Sequence, residues 1–234
     1  SSDTEVIIHG YEEWGTDLFG KLDGMFAFGL WDKEKKKLFL VRDGCGIKPL
    51  FYYYDGERLI FSSEIKGLLV TELIERKINP QSLSNYLSLF YVPAPESIIE
   101  NVRQVKPGSF IIFKTDNNPK EIKFWDLKDI KQSKTASTPA GQIYEQLREE
   151  VSIAVKDSLV SDVPVSLLLS SGLDSSIILH ELKEMGRIDI ETITVGFKQE
   201  SYDESKIARK FSSESGFNNR LLFMPENNIP EILE

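Results

Sequence analysis

Residues 169–176 read Leu-Ser-Ser-Gly-Leu-Asp-Ser-Ser, and they join an apolar run at 165–169 to an amphipathic segment at 175–185. The run predicts a short buried strand and the segment a helix, because their apolar spacings differ. Small side chains in the joint would let the backbone approach a ligand closely. Backbone amides there would converge at the helix N-terminus, where the helix dipole favours an anion. The stretch therefore predicts a loop that cradles phosphate.

The polar side chains of this loop indicate how it would bind phosphate. Ser170, Ser175 and Ser176 add hydroxyl donors, whereas the carboxylate of Asp174 would repel a bare phosphate. A carboxylate in such a loop therefore indicates a bridging Mg2+. The loop has neither the Walker A spacing, nor the dinucleotide-binding fingerprint, nor the nucleophile elbow of hydrolases. The alternative interpretation is a simple strand–turn–helix joint in which Asp174 is the helix N-cap.

Around this loop, the second half of the chain alternates helical and strand-like patterns, which is typical of a parallel α/β sheet. The predicted helices cover residues 139–159, 175–185 and 202–215. The predicted strands cover residues 164–169, 191–197 and 220–224. The preceding residues, 128–138, are polar and rich in Lys, Ser and Thr, so they are predicted to form a flexible linker.

The first half has a different sequence pattern, in which short apolar or aromatic segments predicted to be strands are separated by turn signals. Those strands are predicted at residues 25–31, 37–41, 49–54, 58–62, 109–114 and 121–125. Helices are predicted at residues 4–14, ending at Gly15, and at residues 79–90, opened by Asn79-Pro80. The first half is therefore expected to be mostly antiparallel sheet with a few helices.

The composition is that of an ordinary globular protein, since 41% of the 234 residues are hydrophobic and 28% are charged. A net charge of −9 argues against nucleic acid or an anionic membrane as the main partner, because both attract a basic face. The chain has one cysteine, no apolar stretch of membrane-spanning length and no signal peptide, so a reducing, cytoplasmic location is expected. Its first residue is not methionine and both ends have helical patterns, so a fragment of a longer protein is expected.

In residues 169–176 the chain resembles the glutamine-dependent asparagine synthetase family, whose synthetase domain carries a Ser-Gly-Gly-Leu-Asp-Ser-Ser pyrophosphate loop. Ser171 stands where that family usually has glycine. Residues 161–165 and 194–197, on either side of the loop, are also similar to the family. The first half resembles the family's glutaminase domain from its middle onward, in motifs that follow the family's order. These motifs are residues 23–28, 42–43, 46–50, 62–66, 91–95 and 124–127.

The resemblance implies a fold of mixed class, α/β and α+β. Residues 1–127 would form an αββα amidohydrolase domain of the N-terminal-nucleophile kind, incomplete at its N-terminal side. After the linker at 128–138, residues 139–234 would begin a doubly wound, parallel-sheet ATP-pyrophosphatase domain. The parent enzyme would take ammonia from glutamine and, with ATP, convert aspartate to asparagine through an aspartyl-adenylate.

The same resemblance implies the site residues. The residues that would bind ATP and its pyrophosphate are Leu169, Ser170, Ser171, Gly172, Leu173, Asp174, Ser175, Ser176, Val195 and Gly196. Among them, Asp174 would serve catalysis by holding Mg2+. Asp3 matches the family's aspartate that holds the α-ammonium of glutamine, and a helix cap is an equally good interpretation of it. The implied partners are glutamine, aspartate and ATP, with neither nucleic acid nor membrane, and a homodimer is left open.

The family's glutaminase nucleophile is a cysteine that is expected in a segment before Ser1, so the chain as given is expected to lack glutaminase activity. Cys45 lies in a turn between two predicted strands and is expected to be a buried or half-buried small side chain. Two other functions stay open: a relative that amidates or cyclises another carboxylate, as β-lactam synthetases do, and a non-catalytic interaction module. The residues that bind the acceptor carboxylate would distinguish such a relative from an asparagine synthetase, and none of them is recognised in the chain.

Overall fold

The computed structural model of the chain describes residues 2–114, 117–130, 139–197, 199 and 203–224. The chain divides into two compact units, Ser1–Ser133 and Lys134–Glu234. The division falls within the predicted linker, of which residues 131–138 lie outside the described residues. Both units contain helices and strands, so the expected mixed α/β class is confirmed. None of the described helices is long and apolar enough to cross a membrane.

The first unit contains two antiparallel sheets, with strand orders β1-β2-β6-β7 and β4-β3-β5. Its elements are α1 (Asp3–Trp14), β1 (Ala27–Asp32), β2 (Lys37–Arg42), β3 (Phe51–Tyr54), β4 (Leu59–Ser62), α2 (Ile65–Leu69), α3 (Pro80–Leu89), β5 (Val102–Gln104), β6 (Ser109–Lys114) and β7 (Asn117–Lys123). Short 3₁₀ segments, Gly15–Gly20 and Leu127–Asp129, follow α1 and β7. The predicted helices and strands are confirmed, whereas α2 and β5 were not predicted.

The side chains of β2 alternate between two buried clusters, because successive residues of a strand point to opposite faces of its sheet. Phe39 and Val41 pack with Phe19, which belongs to the 3₁₀ segment after α1. Leu40 packs on the opposite face with Tyr52, which belongs to the other sheet. The strand is apolar on both faces because both faces are buried. The two sheets of this unit therefore pack face to face.

The outer face of the three-stranded sheet is covered by a further cluster. Phe51 and Tyr53 of β3 pack there with Leu68 of α2 and Val102 of β5. Tyr11 of α1 packs in the cluster on the outer face of the four-stranded sheet. The layers of the first unit therefore follow the order helix, sheet, sheet, helix.

The turn between β2 and β3 is built around two buried charged residues, Arg42 and Asp43. The Arg42 guanidinium donates to three backbone carbonyl oxygens at 2.7 to 2.8 Å. The Asp43 carboxylate accepts two backbone N–H groups of the turn at 2.9 and 3.0 Å. The Arg42 and Asp43 side chains occupy the inside of the turn and bond its backbone groups. Cys45 lies on the outside of the turn and is exposed. The expectation that Cys45 is buried or half-buried is wrong.

The second unit contains a parallel sheet whose described strands have the order β10-β9-β8. Its elements are α4 (Ala140–Asp157), β8 (Ser166–Leu168), α5 (Leu173–Glu184), β9 (Glu191–Gly196), α6 (Ser205–Ser215) and β10 (Asn219–Phe223). Side chains of all three helices meet Leu169 in one core cluster: Val155 of α4, Leu182 of α5 and Ala208 of α6. The predicted alternation of helices with parallel strands is confirmed.

The strand before the loop differs from its prediction in length and burial. The strand β8 covers three residues, and Leu168 is 71% exposed while the next residue, Leu169, is 3% exposed. The physical reason is that the described helices cover only one face of β8, and successive residues of a strand point to opposite faces. Leu167 and Leu169 face the helices, and Leu168 faces the side of the sheet that no described helix covers. The prediction of a short buried strand is therefore confirmed at Leu169 and wrong at Leu168.

Candidate functional site

The loop of residues 169–176 is fixed at its start by the neighbouring strand β9. The Leu169 N–H donates to the carbonyl oxygen of Ile193 at 2.8 Å, and the Leu169 carbonyl oxygen accepts the Thr194 hydroxyl at 3.0 Å. Thr194 is 2% exposed, so this second bond is buried. The sheet therefore determines where the loop begins.

The helix α5 begins at Leu173, two residues earlier than its predicted start at 175, and Gly172 is its N-cap. Leu173 and Asp174 therefore belong to the first helical turn, whose N–H groups have no partner within the helix. A Cβ atom on Gly172 would lie 3.2 Å from the Ser170 hydroxyl oxygen, so the loop is tightly turned at this point. This arrangement provides the unpaired amides and the dipole end that an anion site requires.

The serine hydroxyls of the loop bond to one another and to the loop backbone. The Ser170 and Ser175 hydroxyl oxygens lie 3.0 Å apart, and the Ser170 oxygen also accepts the Gly172 N–H at 3.1 Å. The Ser176 hydroxyl donates to the Gly172 carbonyl oxygen at 2.8 Å. These bonds hold the loop in its turn. Their oxygens keep lone pairs and their protons can be redirected, because a hydroxyl rotates freely about its C–O bond.

Asp174 is the exposed carboxylate of the first turn of α5. Because Gly172 is the N-cap and α5 has no side-chain cap bond, the alternative interpretation of Asp174 as the helix N-cap is wrong. Within the described ranges the Asp174 carboxylate has no hydrogen bond or ion pair, so it is free to meet a ligand. The helix dipole favours a negative charge at this position.

A carboxylate that sequence reasoning missed lies against the loop. Glu204, the residue before α6, accepts both the N–H and the hydroxyl of Ser171 on its Oε2 atom, at 3.1 and 2.7 Å. The Ser171 hydroxyl and then its N–H lower the pKa of the Glu204 carboxyl below its ordinary value, so it is ionised at neutral pH. The neighbouring Asp203 accepts the N–H groups of Ser205 at 3.1 Å and Phe197 at 3.4 Å. Asp203 resembles the family's next helix start and is expected to be a helix cap, but the N-cap of α6 is Glu204, so Asp203 lies one residue before the cap position and the expectation is wrong.

The loop opens into a cavity of about 320 Å³ at the carboxyl ends of β8 and β9. Leu168, Val195 and Phe197 give it apolar walls, and Ser170 and Glu204 supply its polar side. The structure therefore brings the predicted residues Leu169, Ser170 and Val195 to one site. Gly196 ends β9 and accepts the Met224 N–H at 3.0 Å. A planar apolar ring with an attached anionic group would match this combination of walls and loop.

The donor set beside the loop fits Mg2+ of the kind that is bound together with substrate phosphates. Such a magnesium ion keeps several waters and needs only one or two protein carboxylates. Asp174 supplies one exposed carboxylate at the loop. No group of three or more His, Cys, Asp or Glu residues within the described ranges could hold a metal ion without a substrate.

Asp3, the predicted glutamine contact, is the first residue of α1 in the first unit. The N-cap of α1 is Ser2, and this helix has no side-chain cap bond, so the interpretation of Asp3 as a cap is wrong. The Asp3 side chain is exposed. Its contact with the ammonium group of glutamine stays a prediction.

Two family profiles match successive parts of the chain. The profile described as a glutamine amidotransferase domain matches residues 1–125. The profile described as asparagine synthase matches residues 146–234. The first matched range lies within the first compact unit, and the second lies within the second unit.

The curated relatives carry names that agree with these profiles. A protein of Methanocaldococcus jannaschii named putative asparagine synthetase [glutamine-hydrolyzing] 2 is 36% identical over 87% of the chain. Asparagine synthetase [glutamine-hydrolyzing] 1 of Bacillus subtilis is 32% identical over 99% of the chain, and Amidase chry2 of Gibberella zeae is 31% identical over 98%. The chain spans 39%, 36% and 36% of the lengths of these three relatives.

Proposed function

The chain belongs to the glutamine-hydrolysing asparagine synthetase family, and on that premise we propose that residues 169–176 bind the pyrophosphate part of ATP in a larger, asparagine-forming enzyme. The observation that carries the proposal is the cavity at the ends of β8 and β9, where the loop adjoins apolar walls. Ligands of open parallel sheets bind outside the carboxyl ends of the strands, which is where this cavity lies. The family implies the use of ATP.

The proposal assigns roles to residues of the loop and of the neighbouring cavity. The unpaired amides at the start of α5 donate to phosphate oxygens, and the hydroxyls of Ser170, Ser175 and Ser176 turn toward the same anion. The backbone of Val195 and Gly196 meets the adenine. Asp174 is the residue that would hold Mg2+, which when bound neutralises charge between phosphate oxygens. Donors that are already in position stabilise the negative charge that grows on pyrophosphate as it departs.

We further propose that ATP activates the aspartate side chain as an aspartyl-adenylate, which ammonia from glutamine then converts to asparagine. The ammonia would come from the glutamine amidotransferase part, in which Asp3 attracts the ammonium group of glutamine by opposite charge. The helix, sheet, sheet, helix order of the first unit supports an αββα amidohydrolase domain. The parallel order of the second sheet supports the start of a doubly wound ATP-pyrophosphatase domain.

A second candidate is an enzyme that transfers nitrogen to a different carboxylate. The observation that keeps it open is that the Gibberella zeae relative, at an identity close to that of the Bacillus subtilis asparagine synthetase, carries a different name, so identity at this level does not fix the acceptor. Both candidates use the same phosphate loop, because both require an adenylated carboxylate. They differ only in the acceptor.

Exchange of labelled pyrophosphate into ATP by the full-length enzyme tests the proposal, because it requires a reversible adenylation step. We expect exchange that depends on added aspartate. Exchange supported by another carboxylate, and not by aspartate, would favour the second candidate. No exchange with aspartate or with a panel of other carboxylates would favour a non-catalytic module.

A further inference from the structure

The contact between Ser171 and Glu204 places a carboxylate on the phosphate loop itself. The two residues are 33 positions apart in the chain, and the Glu204 Oε2 atom takes both donors of Ser171, its N–H at 3.1 Å and its hydroxyl at 2.7 Å. Glu204 also lines the cavity at the ends of β8 and β9. The Glu204 oxygen thus accepts from a backbone N–H and a hydroxyl, the same kinds of donor that bind a phosphate oxygen in an anion site.

The N–H of Ser171 is one of the loop amides that a bound pyrophosphate would use. Glu204 and pyrophosphate are both anions, and two anions on one amide repel each other strongly in a partly enclosed cavity. The carboxylate is ionised at neutral pH, since its bonds with Ser171 lower its pKa. Binding of pyrophosphate at this amide therefore requires the Glu204 side chain to leave.

We propose that Glu204 is an internal anion that occupies the two donors of Ser171 on the phosphate loop and is displaced from them when pyrophosphate binds. This inference rests on the proposed function, because it assumes that the loop binds pyrophosphate. Ser171 gives the contact its second bond, which a glycine at that position would not supply. Glu204 directly precedes α6, so its displacement releases a tie between the loop and the start of that helix.

The test is titration of the full chain with inorganic pyrophosphate, first without Mg2+, by isothermal calorimetry. The variant Glu204→Gln keeps the size of the side chain and an oxygen that can accept from Ser171, but removes the charge. We expect pyrophosphate to bind about tenfold more tightly to this variant than to the unaltered chain. Glu214→Gln, at the other end of α6, makes the same change in net charge and is expected to leave the affinity unchanged.

A double-mutant cycle separates displacement of a bonded carboxylate from simple relief of repulsion. Ser171→Ala removes the shorter of the two bonds and should tighten pyrophosphate binding by about threefold. In the Glu204→Gln background the same substitution should add almost nothing, because the charged partner is already gone. If the affinity gains of the two single variants multiplied in full in the double variant, the proposal would be overturned. The two side chains would then act on pyrophosphate binding independently and not through a shared contact.

The remaining outcomes of the titration distinguish failure of the displacement proposal from failure of the proposed function. If the unaltered chain binds pyrophosphate and Glu204→Gln binds it equally or less tightly, the displacement proposal fails and the phosphate loop stands. Weaker binding of Glu204→Gln only when Mg2+ is present would mean that Glu204 holds the metal, which also overturns it. If none of the variants binds pyrophosphate, the proposed function of the loop fails, and the Ser171–Glu204 contact is an ordinary structural tie.

Discussion

Among the described residues of the first unit, Arg42 and Asp43 are the buried charged residues, at 7% and 1% exposure. Burial lowers the pKa of the Arg42 guanidinium, and the neighbouring Asp43 carboxylate opposes that effect by its charge. Each group also satisfies backbone atoms that the turn would otherwise leave unpaired in the interior. The pair therefore stabilises the turn that carries the chain from one sheet to the other.

The change Asp43→Ala should destabilise the first unit by about 3 kcal/mol, because it removes the charge that offsets burial of the Arg42 guanidinium and leaves two part-buried amides of the turn without an acceptor. Urea unfolding followed by tryptophan fluorescence measures it, since all three tryptophans of the chain, Trp14, Trp31 and Trp125, belong to this unit. Asp55→Asn, at the exposed turn between β3 and β4, is the control and should cost much less. An unchanged midpoint for Asp43→Ala would contradict this account.

At the scale of elements, the β8–loop–α5 joint depends on hydroxyls of the adjacent strand β9. The Thr194 hydroxyl donates to the Leu169 carbonyl oxygen and accepts the Asn219 side-chain amide of β10 at 2.9 Å. Asn219 makes a second such bond to Thr192, at 2.9 Å, while its Oδ1 atom is buried and has no partner within the described ranges. Buried polar networks of this kind fix geometry, because a broken member leaves its partners unsatisfied.

Replacement of Thr194 by valine, which has the same shape, should destabilise the second unit by about 2 kcal/mol through the two lost hydrogen bonds. Hydrogen exchange of the β9 amides is the suitable measurement, because the second unit has no tryptophan. Protection should fall roughly thirtyfold. Thr194→Ser keeps the hydroxyl and should retain most of the protection. If serine and valine reduced protection equally, the methyl group rather than the network would be responsible.

The sequence predicts the long, strongly periodic elements well and the short ones poorly. Helix α3 was recognisable because Asn79 caps it and Pro80 opens it, and the Asn79 side chain does accept two amides there. Helix α2, of five residues, and strand β5, of three, are too short to show a period. The sequence predicts the start of α5 two residues late, because a run of serine and glycine carries no apolar spacing.

For the candidate site, too, the sequence predicts the features that depend on neighbouring residues and misses those that depend on contacts between distant ones. The loop itself could be predicted, because its composition and its place between a strand and a helix are local properties. Glu204 could not, because its contact with Ser171 depends on how α6 returns to the sheet after β9. The one local signal was the acidic pair Asp203-Glu204 before a helix, and such a pair is usually explained by capping alone.

At the scale of the whole molecule, the chain consists of two units that match two different family profiles. The segment at 128–138 lies between them in sequence, and its polar composition without apolar periodicity is typical of a linker. That boundary stays a prediction, since residues 131–138 lie outside the described residues.

Limited digestion with trypsin checks this boundary, because Lys131 and Lys134 lie within the segment. The first cut is expected at these lysines and should yield two fragments that resist further digestion, since linkers between domains are cleaved first. Mass spectrometry of the early products identifies the site. Early cleavage inside residues 25–62, with the segment at 128–138 protected, would mean that the boundary is placed wrongly.

The account depends most on the claim that residues 169–176 bind pyrophosphate with the help of Asp174. Asp174→Asn in the full-length enzyme keeps the shape of the side chain and removes its charge. We predict that exchange of pyrophosphate into ATP falls on the order of a hundredfold, equivalent to about 2.7 kcal/mol of barrier, at an unchanged melting temperature. Asp157→Asn, at the exposed end of α4, is the control and should exchange normally. Near-normal exchange by Asp174→Asn at saturating Mg2+ would contradict the claim.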